Sequence, residues 1–309
     1  MGKVSTLLSL VKNDKSKIPA AITANIASMP ISHKIPDKLY LSMRYKAIFG
    51  RRLNWQNPET FTEKLQWLKL YGRDPQYVRL VDKYDVKEYI KNTVGEEYII
   101  PTLGIWERAE DIDFDSLPEQ FVLKCTHDSG SVIICKDKKT FDRSAAVKSL
   151  NAKLQRNLFW WNREWVYKDI KPRVIAEKYM EDTKTRELRD YKLFCFDGVP
   201  KLIYIATDRQ SKENETAFDF FDMDYNWLDI RNGHPNASVH PEKPVTFEQM
   251  KVLASKLSKG FPEARIDFYE IDGKLYFGEI TFFHNGGFLT FDPDRWDYEI
   301  GKWLKLPEI

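Results

Sequence analysis

The spacing of apolar residues changes character several times along the chain. Residues 37–72 follow helical spacing: Phe61, Leu65 and Leu68 form one stripe, Thr60 and Glu63 make a capping box, and Gly72 marks the stop. A second helix is predicted from Asp82 to Asn92, closed by Gly95 ahead of the extended stretch Tyr98–Thr102. The period then shortens to two. Phe121–Cys125 and Val132–Lys136 read as strands flanking the polar loop Thr126–Ser131. Helical spacing returns over 144–161, and Arg173–Met180 alternates as a strand after Pro172. Asp190–Phe196 and Lys201–Thr207 form a hairpin across Asp197-Gly198, where glycine accepts a positive φ. Thr246 and Gln249 open another capped helix that ends at Gly260, and a last hairpin pairs Ile266–Glu270 with Leu275–Phe282 around Asp272-Gly273. Helices and antiparallel hairpins in alternating blocks predict an α+β fold, not a regular βαβ winding.

At 309 residues the chain is longer than one core usually organises, so two domains or a domain with subdomains is expected. Hydrophobic residues at 42% and charged residues at 30% predict folding over most of the length. A net charge of +2 gives no global field for nucleic acid or an anionic membrane, so no nucleic-acid partner is expected and any anion site must be local. Cys125, Cys135 and Cys195 form no C-x-x-C pair and are odd in number, which fits a reducing compartment and predicts a cytoplasmic protein. Apolar stretches within residues 1–30 are too short to span a bilayer; they offer peripheral attachment at the inner face of the membrane, against the plainer reading of a poorly ordered end or a helix docked on the body. Trp160, Trp161 and Trp165 suit an acceptor cleft or, equally, an aromatic core.

Several familiar sites are absent: no G-x-G-x-x-G, no G-x-x-x-x-G-K-[ST], no H-E-x-x-H and no G-x-S-x-G. What remains is dispersed. Lys124 alternates with apolar neighbours at a strand end, where it can place a point charge on a phosphate, and the next loop offers backbone N–H groups around Gly130. An ordinary hairpin with a surface lysine explains the same residues, and Asp128 repels phosphate unless it points away. Asp267 and Glu279 lie in apolar surroundings on the last hairpin, where Mg²⁺ satisfies both while bridging substrate phosphates. The alternative pairs Asp267 with Arg265 and leaves Glu279 in solvent. A bare two-residue turn at Asp272-Gly273 puts the two acids on opposite faces; a bulge at Gly273 puts them on one face, and the metal reading requires the bulge.

Asp82-Lys83-Tyr84 with Lys87, Ile100-Pro101-Thr102, Val122-Leu123-Lys124, Ile175–Met180, Asp190-Tyr191-Lys192 and the Asp267/Glu279 hairpin follow one another in an order that resembles an ATP-grasp enzyme, more narrowly the TupA-like ATP-grasp family, associated with bacterial cell-surface polysaccharide biosynthesis. The similarity covers roughly residues 40–305 by eye. It implies an ATP-grasp fold with ATP sandwiched by two α+β subdomains, divided here as a helical lead-in over 1–75, a first subdomain over 76–180 and a second over 181–309. It further implies Lys124 and Lys178 near the phosphates, adenine against Glu177, Lys178, Tyr179 and Met180, ribose on Asp182 or Glu181, and a phosphate cover from His127, Ser129, Gly130 and Ser131. Asp267 and Glu279 would hold Mg²⁺. Thr281 stands where such enzymes commonly carry Asn, and Asn285 is the candidate substitute. Arg189, Arg209, Arg265 and Lys192 are candidates for the acceptor carboxylate or the transferring phosphoryl, with surface ion pairing as the alternative for each arginine.

The expected activity is an ATP- and Mg²⁺-dependent carboxylate–amine ligase working through an acyl phosphate, with a glycan or uronic-acid acceptor and a small amine or amino acid as partners. A glycosyltransferase ranks second, on Asp222-Met223-Asp224 after an apolar run; an ATP-dependent sugar kinase is third, and a carbohydrate-binding module last.

Overall fold

The computed structural model describes residues 30–185, 188–209 and 215–308. These fall into two compact units. One takes its described residues from Met1–Arg73, Leu158–Lys168 and Phe283–Ile309, the other from Asp74–Asn157 and Asp169–Phe282. Both are interleaved along the sequence, in contrast to three consecutive spans. The proposed membrane attachment falls almost wholly outside the described residues, and among these no helix is long and apolar enough to cross a membrane.

The first unit is helical. The predicted helix over 37–72 is two, α1 (Asp37–Phe49) and α2 (Phe61–Tyr71), because Gly50 takes φ 69° and ends α1 in the left-handed conformation that glycine adopts without strain. The capping box forms as predicted: Thr60 accepts the Glu63 N–H at 3.3 Å and the Glu63 carboxylate accepts the Thr60 N–H at 3.3 Å. Tyr40, Leu41, Tyr45, Leu53 and Phe288 form a buried cluster in this unit.

The second unit carries two antiparallel sheets and, at its start, two short helices, α3 (Gln76–Val81) and α4 (Val86–Thr93). Four strands, β1 (Thr102–Trp106), β2 (Phe121–Cys125), β3 (Ile133–Cys135) and β4 (Val174–Lys178), pair in the order β1-β4-β2-β3. Helix α5 (Arg143–Leu154) contributes Leu150 and Leu154 to the core beneath, with Phe121, Leu123, Cys125, Val174 and Ala176. The predicted helix over 144–161 stops at Leu154, and a short helix α6 (Phe159–Asn162) belongs to the first unit. Six strands, β5 (Asp190–Phe196), β6 (Val199–Thr207), β7 (Ala217–Asp222), β8 (Trp227–Leu228), β9 (Ala264–Ile271) and β10 (Lys274–Thr281), form the second sheet in the order β10-β9-β5-β6-β7-β8. Helix α7 (Phe247–Leu257) buries Met250, Leu253 and Leu257. Its predicted cap differs: the Thr246 hydroxyl donates to the Glu270 carboxylate at 2.5 Å and does not accept from its own helix. Helix α8 (Arg295–Trp303) in the first unit went unread in the sequence.

The last hairpin settles the question of faces in an unexpected way. Asp272-Gly273 is a bare two-residue turn with φ of 49° and 74°, so Ile271 pairs with Lys274 and Phe268 with Phe277. Continued regularly, that register would set Gly278 opposite Asp267. The register shifts between Phe277 and Glu279 instead, and Glu279 becomes the cross-strand partner of Asp267. The bulge therefore exists, at Gly278 and not at Gly273. A Cβ there would lie 3.1 Å from the Asp267 carbonyl oxygen, which favours glycine in the extra position.

Candidate active site

Because paired residues of an antiparallel sheet share a face, the register of β10, β9, β5, β6 and β7 lines up Glu279, Asp267, Lys192, Tyr204 and Phe220 in one lateral row. Asp190 lies two residues from Lys192 and so shares that face. Asp267 is 1% exposed. Its Oδ1 accepts from Arg265 Nε at 2.7 Å, and its Oδ2 from Arg265 Nη2 at 2.8 Å and from Lys192 Nζ. Arg265 Nη2 also donates to Glu279 Oε1 and Thr281 Oγ1, each at 3.0 Å. Lys192 continues the row to Asp190 Oδ1 at 3.0 Å, and Arg209 Nη1 donates to Asp190 Oδ2. Positive and negative groups thus alternate from Arg209 to Glu279. Burial alone would push the Glu279 carboxyl up, but Lys192, Arg265 and Lys83 hold it down at about 2, so it is ionised at neutral pH.

The four-stranded sheet carries a second charged cluster. Alternation on β2 and β4 puts Lys124 and Glu177 on the face opposite Leu123 and Ala176. Glu177 Oε2 meets Lys124 Nζ at 2.5 Å and its Oε1 meets Lys87 Nζ at 2.6 Å; Lys87 also donates to Ile100 O and Thr102 Oγ1. Lys178, expected beside Lys124 at the phosphates, pairs across from Phe121 on the core-side face, because a strand cannot present consecutive residues to one side. With Tyr179, Leu103 and Lys136 it lines a separate cavity of about 600 Å³. The partner that the fold gives to Lys124 is Lys87, on α4. Met180 is half-buried at the strand's end.

Burial pushes Glu177 up, while Lys124 and Lys87 hold it below its ordinary value. A depressed folded-state value stabilises the protein at neutral pH and is lost as pH falls from about 4.5 through the folded value. Unfolding midpoints in urea are therefore expected to drop over this acid range. In Glu177→Gln this part of the pH dependence should vanish, and an unchanged slope would separate Glu177 from it.

The loop Thr126–Ser131 between β2 and β3 is closed from within. Ser131 Oγ accepts the Cys125 N–H at 2.8 Å and donates to Asp128 Oδ1 at 2.5 Å. Asp128 is buried and turned inward, so its charge does not line the exposed tip at Ser129 and Gly130, where Gly130 takes φ 78°. His127 is buried against the Arg156 carbonyl at 3.2 Å, which takes it away from that tip. Lys83, quoted above only within a motif, ties these parts together. Its N–H donates to Thr126 O at 3.1 Å, its ammonium donates to Asp128 O, and Glu279 lies close enough to act on its charge. Its signal was the Asp82-Lys83 pair ahead of a helix: Asp82 Oδ1 accepts the Tyr84 and Asp85 N–H groups at 2.9 Å and turns the chain there.

Other expected site residues lie elsewhere. Asp182 closes its own loop through the Lys184 and Thr185 N–H groups and pins the Asp272 N–H at 2.9 Å, so its carboxylate is committed to structure and sits at about 2 despite the upward pull of burial. Arg189 lines a cavity of about 530 Å³ with Asp182, Tyr191 and Glu270; Tyr191 and Glu270 alternate away from the Lys192 face. Asn285 belongs to the helical unit, where its amide meets His284 Nε2 at 3.1 Å, and the Thr281 hydroxyl is held by Arg265. Asp222 accepts the Asp224 and Asn226 N–H groups at 2.9 and 2.8 Å, so Asp222-Met223-Asp224 is a turn in which the first carboxylate is already used.

Among the described residues no group of three or more His, Cys, Asp or Glu side chains forms a metal cage. The donor set nonetheless fits Mg²⁺ as that ion is usually bound with nucleotides, through one or two carboxylates with substrate phosphates completing the shell. Asp267 and Glu279 are cross-strand neighbours on one face; Glu279 keeps a side chain 42% exposed, whereas both Asp267 oxygens are held by Arg265 and Lys192, which an ion would have to displace.

No curated protein matches the sequence. Solved structures similar to the chain include D-alanine–D-alanine ligase from Bacillus anthracis complexed with ATP, at 20% identity and TM-score 0.39, covering 65% of this chain and 54% of that one. The D-alanine–D-alanine ligase of Helicobacter pylori is similar at 18% identity and TM-score 0.41, covering 79% and 69%. An ATP-grasp ligase, PsnB, complexed with a precursor variant, Mg and ADP, is similar at 9% identity and TM-score 0.42, covering 79% and 61%. The chain thus spans only about half to two thirds of the length of these proteins. The family model of TupA-like ATPgrasp proteins matches residues 63–305, which takes in both sheets and every charged residue of the two clusters. The chain belongs to the TupA-like ATP-grasp family.

Proposed function

We propose that the protein is an ATP- and Mg²⁺-dependent carboxylate–amine ligase, whose acceptor is an acidic sugar of a surface polysaccharide or its precursor. The observation that carries the reading is the pairing of Asp267 with Glu279 across the Gly278 bulge, in line with Lys192 and Arg265. ATP brings several negative charges and the acceptor carboxylate adds one more, so fixed cations must align the two anions before they can react. Lys124 and Lys87 supply such cations at the four-stranded sheet, Lys192, Arg265 and Arg209 at the six-stranded one, and the charge of Lys83 is felt at Glu279. Asp267 and Glu279 are the residues that would hold a divalent ion, which would add to the neutralisation of the phosphates.

In the proposed reaction, an acceptor carboxylate oxygen attacks the γ-phosphorus, the bond to the β–γ bridging oxygen breaks and ADP leaves. The amine then attacks the carbonyl carbon of the acyl phosphate, inorganic phosphate departs with the C–O bonding pair, and a proton lost from nitrogen leaves an amide. In this reading Lys192 and Arg265 hold the phosphoryl oxygens; they pair here with Asp267, and Arg265 also with Glu279.

ATP with Mg²⁺ is expected to raise the melting temperature, by about 2.7 kcal/mol of stabilisation at a hundredfold excess over Kd, whereas UDP-sugars should leave it unchanged. The opposite preference would favour a glycosyltransferase. Mass spectrometry of reactions with ATP, uronic acids and amines should show an amide product with ADP; a phosphate ester would make the protein a kinase, and AMP release would exclude the acyl-phosphate route.

A further inference from the structure

Asp190 stands apart from the other carboxylates of the charged row. It is 3% exposed, and both its oxygens are taken by cations: Oδ1 by Lys192 Nζ at 3.0 Å and Oδ2 by Arg209 Nη1. Its cross-strand partner on β9 is Tyr269, so it is removed from the Asp267–Glu279 pair by two residues along the strands. Lys192 is shared between Asp190 and Asp267 and is itself nearly enclosed, whereas the Arg209 side chain is 52% exposed and pairs with Asp190.

The consequence appears when the face is loaded. With Asp267 and Glu279 as the residues that would hold a divalent ion, Lys192 and Arg265 would lose much of the charge of those two partners. Arg265 keeps the Thr281 hydroxyl, and Lys192 keeps Asp190. We infer that Asp190 is a positioning residue, a permanent counter-charge that aims Lys192 and Arg209 at the nucleotide phosphates after the row's other carboxylates have been recruited. It does not touch substrate; it acts through the two cations. A buried carboxylate is suited to this, because the charge-assisted bonds it accepts are fixed in direction and its pairing with the nearly enclosed Lys192 is screened from water. The inference rests on the nucleotide reading of this face.

Charge gives the test its sign. Asp190→Asn removes one negative charge, so the face becomes more attractive to an anion while its cations lose their aim. The variant should lose tenfold or more in kcat, with an unchanged or lower KM for ATP in saturating Mg²⁺. Calorimetry should show ATP binding as tight as, or tighter than, in the parent protein. Asp190→Glu, which keeps the charge, should recover part of kcat. A merely structural role would instead weaken binding and turnover together, with a lower melting temperature in both variants, and that result overturns the inference. So would a kcat within twofold of the parent. Weakened binding of Mg·ATP with free-ATP affinity intact would make Asp190 an ion ligand and also overturn it. If the parent protein binds no ATP at all, the nucleotide reading itself falls; a parent that turns over ATP beside a fully active Asp190→Asn removes only the role of Asp190.

Discussion

Glu279→Gln is expected to lower ligation by about two to three orders of magnitude, the cost typical of removing one electrostatic element from a preorganised site. The fold should persist. Unlike Asp267, Glu279 keeps a side chain 42% exposed, so the amide replaces an ionised group without burying an orphaned charge. The amide oxygen still accepts from Arg265, while the negative charge that a divalent ion requires is gone. Steady-state ADP release together with a circular-dichroism melt checks both halves. Full activity in this variant would remove Glu279 from the ion site and with it the main support for the proposed chemistry.

Arg265→Met should give the largest loss of stability. Its guanidinium makes two bonds to Asp267 and reaches Glu279 and Thr281, all at 2.7–3.0 Å. Asp267 would be left buried with Lys192 as its one remaining charged neighbour among these contacts. Breaking a buried ion pair from one side costs about 3–5 kcal/mol, which in a unit of this size lowers the melting temperature by roughly 10 °C. Adding Asp267→Asn should restore part of that loss, since the stranded charge goes with it, without restoring activity. A melt within 2 °C of the parent would mean that Asp267 does not depend on Arg265. Strict additivity of the two substitutions would say the same.

The sequence was most informative where physics is local. Strand β2 and strand β5 begin and end where alternation and turn residues placed them, and the capping box at Thr60 and Glu63 is present atom for atom. Helix breaks were harder. Gly50 divides 37–72 because its left-handed conformation ends a helix, yet an isolated glycine in a helical pattern is often tolerated, so the pattern alone did not separate the two helices. Helix α8 was missed although Trp296, Ile300 and Trp303 follow helical spacing; what seats it is distant, since Asp297 on it accepts from the Thr62 N–H at 2.8 Å, 235 positions away.

For the site, the sequence by itself determined which side chains were available: Lys124, Asp267 and Glu279 were singled out from residue type and apolar surroundings, Lys192 and Arg265 from the resemblance of the motif order. Only the tertiary structure decided which of them meet. Strand alternation put Lys178 on the face opposite Lys124, and Lys87 meets Glu177 beside Lys124 from a helix. Asp182 was spent on its own loop, and Lys83 meets the Thr126 and Asp128 carbonyls, which lie far from it along the chain. Above all, whether Asp267 and Glu279 share a face hangs on a single extra residue at Gly278. Hydrophobic periodicity is a nearest-neighbour property and survives in the sequence; strand register is a sum over long-range pairings, and one inserted residue inverts it.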